Sequence, residues 1–228
     1  MISSWVSSVL SDHGFASTRE SLDKYVLNRL QSIVSYAYES GNFYKDFYKD
    51  AKMAQVTSLA EFQPLPFTCS EDIIEKPNWF LCVSQSEVLR SYVVEMLDER
   101  LKQIAFTQGE LEHIIKAVGN FLASIGLGPG AKVSLVFPPE YEWGIPDLIN
   151  RAARQCGAIT TMVDQNDLDQ QMAAISSIKA EFIIGSAQQM FFLSALLENG
   201  QARPALPRVI IPCHGCVPYI FTDKAKQL

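Results

Sequence analysis

The sequence is poor in several things, and each shortage excludes something. It holds 19 basic against 25 acidic residues, a net charge of -6. A nucleic-acid surface needs a basic face to neutralise phosphates, so that partner class is set aside. Nucleotide binding is not, because it depends on local geometry. No apolar run approaches the roughly 20 residues that a membrane helix needs. The opening MISSWVSSVLSDHGF has no basic segment and meets Asp12 early, so it reads as structure rather than as a secretory leader. Neither membrane nor nucleic acid is expected as a partner. Three histidines at scattered places cannot assemble a Ser-His-Asp or Cys-His set. The five cysteines are Cys69, Cys82, Cys156, Cys213 and Cys216. A secreted disulfide framework is usually even and dense, so a reducing, cytoplasmic setting is expected.

What is present is a large apolar share, 48% of 228 residues, enough to fill a substantial core. Leu22, Val26, Leu30, Ile33, Val34 and Ala37 recur at helical steps and predict an amphipathic helix over 20–39. GNFYKDFYKD predicts a short helix whose Phe43, Tyr44, Phe47 and Tyr48 dock together. Pro64 and Pro66 break any helix, after which Thr68 or Ser70 is expected to cap a short one at Glu71–Ile74. VLRSYVV (88–94) and QIAFT (103–107) predict a hairpin.

Thr107 is expected to cap a helix with one apolar face: Leu111, Ile114, Ile115, Val118, Phe121, Leu122 and Ile125. That helix stops at Gly126–Gly130. From there strand and helix patterns alternate. Strands are expected at 132–137, 157–163, 181–184 and 208–211, and helices at 144–156, 167–179 and 187–199. Alternation of this kind is the signature of a parallel sheet with helices on both faces. The fold class is therefore α/β. A helical segment at 1–85 is expected to pack on a sheet subdomain at 86–228, the two forming one unit.

Three local motifs invite chemical readings. GLGPG (126–130) follows a helix and precedes a strand, the reverse of a dinucleotide-binding loop, so it reads as a turn. Cys213-His214-Gly215-Cys216 has the spacing of a redox or zinc pair. A structural zinc needs four ligands, however, and no second pair exists. No metal is expected there, and packing is the plainer reading. Glu95-Met96-Leu97-Asp98-Glu99-Arg100 reads as a solvated hairpin turn or a short charged helix, with an acidic metal or regulatory site as the sharper alternative. Tyr141, Trp143, Phe191 and Phe192 are core candidates that could also line an apolar pocket.

The order of four pieces resembles the phenylacetate–coenzyme A ligase branch of the adenylate-forming enzymes, over about residues 20–222. These are SYAYESGNFYKDFYKD, SLAEFQPLPFTCSEDI, GLGPGAKVSLVFP with RQCGAITTMVD, and VIIPCHGCVPY. The resemblance implies the N-terminal part of that fold. It also implies a Ser/Thr/Gly-rich phosphate loop just before "Lys-x-Ile-x-Phe-Thr", whose glycines let backbone amides wrap ATP phosphates. This sequence puts Glu95, Met96, Leu97, Asp98, Glu99 and Arg100 at that position, with Lys102 after them. Bulky side chains stand for glycine, and three carboxylates would face a polyanion.

In the last piece Gly215, Pro218 and Tyr219 match the family turn, while Val217 stands for the usual acidic residue and Cys216 for a small one. Tyr141, Trp143, His214, Gly215, Cys216, Pro218 and Tyr219 are what the resemblance offers as an acyl- and adenine-side pocket. The family's later motifs lie beyond Leu228, so no residue here is expected to inherit them. The leading expectation is a degenerate homologue that does not adenylate acids alone. It would bind a small carboxylate or a protein partner, or self-associate to cover an exposed sheet edge. No catalytic residue and no cofactor is expected. Under the alternative, a subunit or fragment of an acid–CoA ligase, ATP with Mg²⁺ and CoA would be used. A redox or zinc module at Cys213 and Cys216 comes last.

Overall fold

The computed structural model describes residues 4–49, 57–63, 65–96, 98–137, 144–163, 168–191 and 209–212. The chain divides into two units, Met1–Leu111 and Glu112–Leu228. The division expected at 85/86 differs from this one by the hairpin, which falls in the first unit.

In the first unit, α1 (Ser4–Asp12) buries Leu10 completely. Helix α2 (Arg19–Ser40) starts where Thr18 Oγ1 accepts the Ser21 amide at 3.1 Å, satisfying one of the free N–H groups of a helix start. Its apolar stripe repeats as an amphipathic helix requires, but repetition does not ensure burial. None of its residues is buried, and Ile33 is 54% exposed. Helix α3 (Asn42–Phe47) docks its aromatics as the pattern implied. Phe43 stacks on Phe80 at 3.9 Å between ring centres, and Tyr44 meets the same ring edge-on at 5.7 Å. Helix α4 (Ser70–Glu75) corrects the expected cap. Its N-cap is Cys69, whose amide donates to Asp72 Oδ2 at 2.8 Å. A carboxylate three residues on reaches the free N–H, so neither Thr68 nor Ser70 is needed as the cap. Strands β1 (Val88–Glu95) and β2 (Leu101–Thr107) form an antiparallel hairpin.

Helix α5 (Gln108–Ser124) begins with Thr107 and Glu110 capping each other. The Thr107 amide donates to Glu110 Oε2 at 2.7 Å, and the Glu110 amide donates to Thr107 Oγ1 at 3.3 Å. Leu111, Ile115 and Leu122 are buried, but Phe121, assigned to the same face, is 53% exposed. The helix stops at Gly126, whose φ of +95° needs no side chain.

The second unit carries a four-stranded parallel sheet in the order β4-β3-β5-β6: β3 (Lys132–Val136), β4 (Ile159–Met162), β5 (Phe182–Gly185) and β6 (Val209–Pro212). Between strands run α6 (Ile145–Gln155) and α7 (Leu168–Ile178), and residues 187–191 begin a further helix. Val133 pairs with Phe182 and Ser134 with Ile183, which sorts side chains by alternation. Val136, Ile183, Val163, Ile175 and Met190 form one cluster, beneath α7. Thr160 Oγ1 donates to Asn150 Oδ1 at 2.7 Å, tying β4 to α6. The two central strands, β3 and β5, are covered as an all-parallel sheet requires. Edge strand β4 leaves Ile159 56% and Met162 50% exposed.

Candidate functional site: the hairpin turn at 95–100

The ladder of β1 and β2 closes at the pair Glu95–Leu101. The Met96 amide donates to Arg100 O at 2.8 Å, and the Glu99 amide donates to Met96 O at 3.0 Å. Glu99 has φ of +65°. These two bonds and one left-handed residue make the hairpin loop with a bulge that usually takes glycine at this position. The Arg100 amide donates to Asp98 Oδ1 at 3.2 Å. Three amides of the turn, those of Met96, Glu99 and Arg100, are thus consumed inside it. Leu97 lies outside the described residues.

The cation of the turn is equally occupied. Arg100 Nη2 lies 2.6 Å from Asp98 Oδ2 and 3.2 Å from Glu71 Oε1 on α4. Lys102 Nζ donates to Ser70 Oγ at 3.1 Å, beside it on α4. The Arg100 side chain, then its amide, holds the Asp98 carboxyl below the usual carboxylate range. Glu71 is lowered too, first by its own backbone N–H, then by the Cys69 thiol and Arg100. Asp98, and then Glu71, raise Arg100 further.

Glu71, Asp98 and Arg100 are exposed, so each of their ion pairs contributes little by itself; geometry, not energy, is what the network supplies. The sequence pointed to the turn but missed Ser70 and Glu71. They stand 32 and 29 residues from Lys102 and Arg100, and no spacing rule connects such pairs.

A phosphate loop works by aiming unpaired amides and uncommitted cations at an anion. Here the three amides, Arg100 and Lys102 have internal partners, and Glu95, Asp98 and Glu99 add negative charge. In this arrangement each of these five groups already has a partner within the chain. Among the described residues no group of three His, Cys, Asp or Glu could hold a metal ion.

Tyr141, Trp143, Phe192, Cys213, His214, Gly215, Cys216, Val217, Pro218 and Tyr219 lie outside the described residues. Phe191 packs against the Val136–Met190 cluster, as a core residue does. Cys69, Cys82 and Cys156 are free thiols. Burial pushes those of Cys82 and Cys156 up, away from reactivity. No described helix is long and apolar enough to cross a membrane.

No family model and no curated protein matches the chain. Among solved structures it is similar to an open conformation of 2-hydroxyisobutyryl-CoA ligase in complex with 2-HIB-AMP and CoA. The TM-score is 0.69 at 18% identity, over 80% of this chain and 41% of that one. It is similar also to that ligase in the postadenylation state in complex with R3-HIB-AMP, with TM-score 0.68, 18% identity, and 80% and 40% covered. The chain thus spans about two fifths of the length of these ligases. Identity this low carries fold and not activity. The fold is α/β, that of the N-terminal subdomain of adenylate-forming enzymes.

Proposed function

We propose that this chain has the acyl-CoA ligase fold without a working phosphate loop. It does not adenylate acids by itself, and it acts by binding a small carboxylate or a protein partner. The observation that carries this reading is the closed turn at 95–100, with the amides of Met96, Glu99 and Arg100 spent internally. Electrostatic and hydrogen-bond stabilisation of a transferring phosphoryl or adenylyl group requires donors fixed in advance, and a turn that must first break its own bonds loses that preorganisation. The sequence pieces resembling the phenylacetate–coenzyme A ligase branch make an aryl acid the first ligand to try. The half-exposed Ile159 and Met162 on the β4 edge support a second copy or a partner protein covering that strand.

The test is pyrophosphate release from ATP and Mg²⁺ in the presence of phenylacetate and a series of aliphatic and aryl acids. No release is expected from the chain as it stands. Exchanging Glu95–Arg100 for a Ser/Thr/Gly-rich loop of equal length is expected to add Mg·ATP binding at the turn, insensitive to Lys116→Gln/Arg154→Gln. Acid-dependent pyrophosphate release by the unaltered chain would overturn the reading. It would favour instead a subunit or fragment of an ATP-dependent acid–CoA ligase, the alternative that the fold likeness itself supports.

A further inference from the structure

The chain is acidic as a whole, yet three of the seven residues lining one groove of its second unit are lysine or arginine. Helices α5 and α6 approach closely where both carry small residues. A Cβ on Gly119 would stand 3.5 Å from Ala152 O, and Cys156 Sγ donates to Gly119 O at 3.3 Å. Beside this contact lies a groove of about 740 Å³ between one turn of α5 and one turn of α6. Ile115, itself buried, lies among its lining residues. Lys116 and His113 line it from α5, Arg151 and Arg154 from α6, and Glu112 supplies the one carboxylate.

Arg151 is held by Asp147 at 2.9 Å. Lys116 and Arg154 have no ion-pair partner among the described residues. Arg151 and Arg154 stand three apart, where side chains on one helix are neighbours and like charges repel. An anion placed between them and Lys116 relieves that repulsion. Arginine offers phosphate a fork of parallel N–H donors, and lysine a point charge. The groove is also within the size range of small-molecule sites.

We propose that the α5–α6 groove binds a small molecule carrying a chain of two or more phosphate groups, through Lys116, Arg151 and Arg154. Three cations contributed by two helices suit several phosphate oxygens at once, which a short chain of phosphates supplies. The site is separate from the turn at 95–100 and does not depend on the reading given to that turn.

The experiment is calorimetric titration of the full chain at low ionic strength with sodium tripolyphosphate, with ATP free of Mg²⁺, and with adenosine. Tripolyphosphate and ATP are expected to bind in the micromolar to millimolar range, and adenosine not at all. Equal affinities identify the phosphate chain alone as the ligand, while tighter ATP binding identifies a nucleotide. The double variant Lys116→Gln/Arg154→Gln is expected to weaken binding about tenfold or more, because it removes two charge-assisted contacts. Glutamine keeps helix propensity at exposed positions, so the fold is retained. Arg29→Gln/Lys45→Gln removes the same charge from the first unit and is expected to leave binding unchanged. Absence of binding to both phosphates at about 10 mM would sink the proposal, because it lies outside the expected micromolar to millimolar range. So would equal losses in the two double variants, which mean diffuse attraction, or loss on exchanging the turn at 95–100.

Discussion

In the second unit Val133, Leu135, Phe182 and Ile184 are closed to solvent. In the first, the hairpin leaves Val93 61% and Leu101 60% exposed, with Leu89 and Val94 close behind. Both regions are built from strands rich in β-branched and aromatic residues. What separates them is cover. Strands β3 and β5 are interior to a parallel sheet, and crossover connections bring helices onto it. Among the described residues the hairpin pairs only with itself, and two strands bury little. Among the described residues of the first unit, Leu10 and Leu111 are the only fully buried apolar side chains. That unit relies on ring contacts around Phe80 and on links such as Tyr36 Oη donating to Cys82 O at 3.0 Å.

This contrast makes the two units respond differently to truncation. Phe182→Ala empties a site that is 2% exposed and is expected to cost about 3–5 kcal/mol, enough to unfold the sheet unit. Thermal denaturation followed by hydrogen exchange in β3 and β5 measures it, and a loss below about 1 kcal/mol would place the core elsewhere.

Phe43→Ala is expected to cost less, about 1–2 kcal/mol, because the ring is only partly covered and its pair with Phe80 is the chief loss. Faster proteolysis confined to 19–80, with the sheet's protection unchanged, is the expected pattern. Loss of protection in both regions would erase the distinction.

The smallest effect is on pH response. Asp98 and Glu71 have folded-state values held below ordinary. Their contribution is therefore present above the unfolded carboxylate value, about pH 4, and fades as pH falls through the lowered folded values. The Arg100 Nε–H resonance is expected to lose its hydrogen-bonded shift in that acidic window while resonances of β3 stay put. A turn unchanged down to about pH 2 would mean the ion pairs do not hold it.

The hairpin turn was found from an oddity of composition, carboxylates where a resembling family has glycine. Its partners on α4 were not, since Glu71 and Arg100 meet only after the chain folds back. The cap of α4 was misplaced by one residue because Cys69 is a weak capping side chain, and the decisive bond comes instead from Asp72. The α2 stripe was legible as periodicity, yet Ile33 is exposed, because periodicity tells which face is apolar and not whether anything covers it.

By itself the sequence determined the succession of elements. The period of apolar residues, the Thr107–Glu110 cap and the stop at Gly126 are local properties, set by backbone sterics and hydrogen bonds within a few residues. Only the tertiary structure decided the strand order β4-β3-β5-β6, the meeting of Arg100 with Glu71, and the convergence of Lys116 with Arg154. Those depend on which distant segments share a face. That is settled by burying apolar area across the whole unit and satisfying its polar groups, a condition no short window of sequence contains.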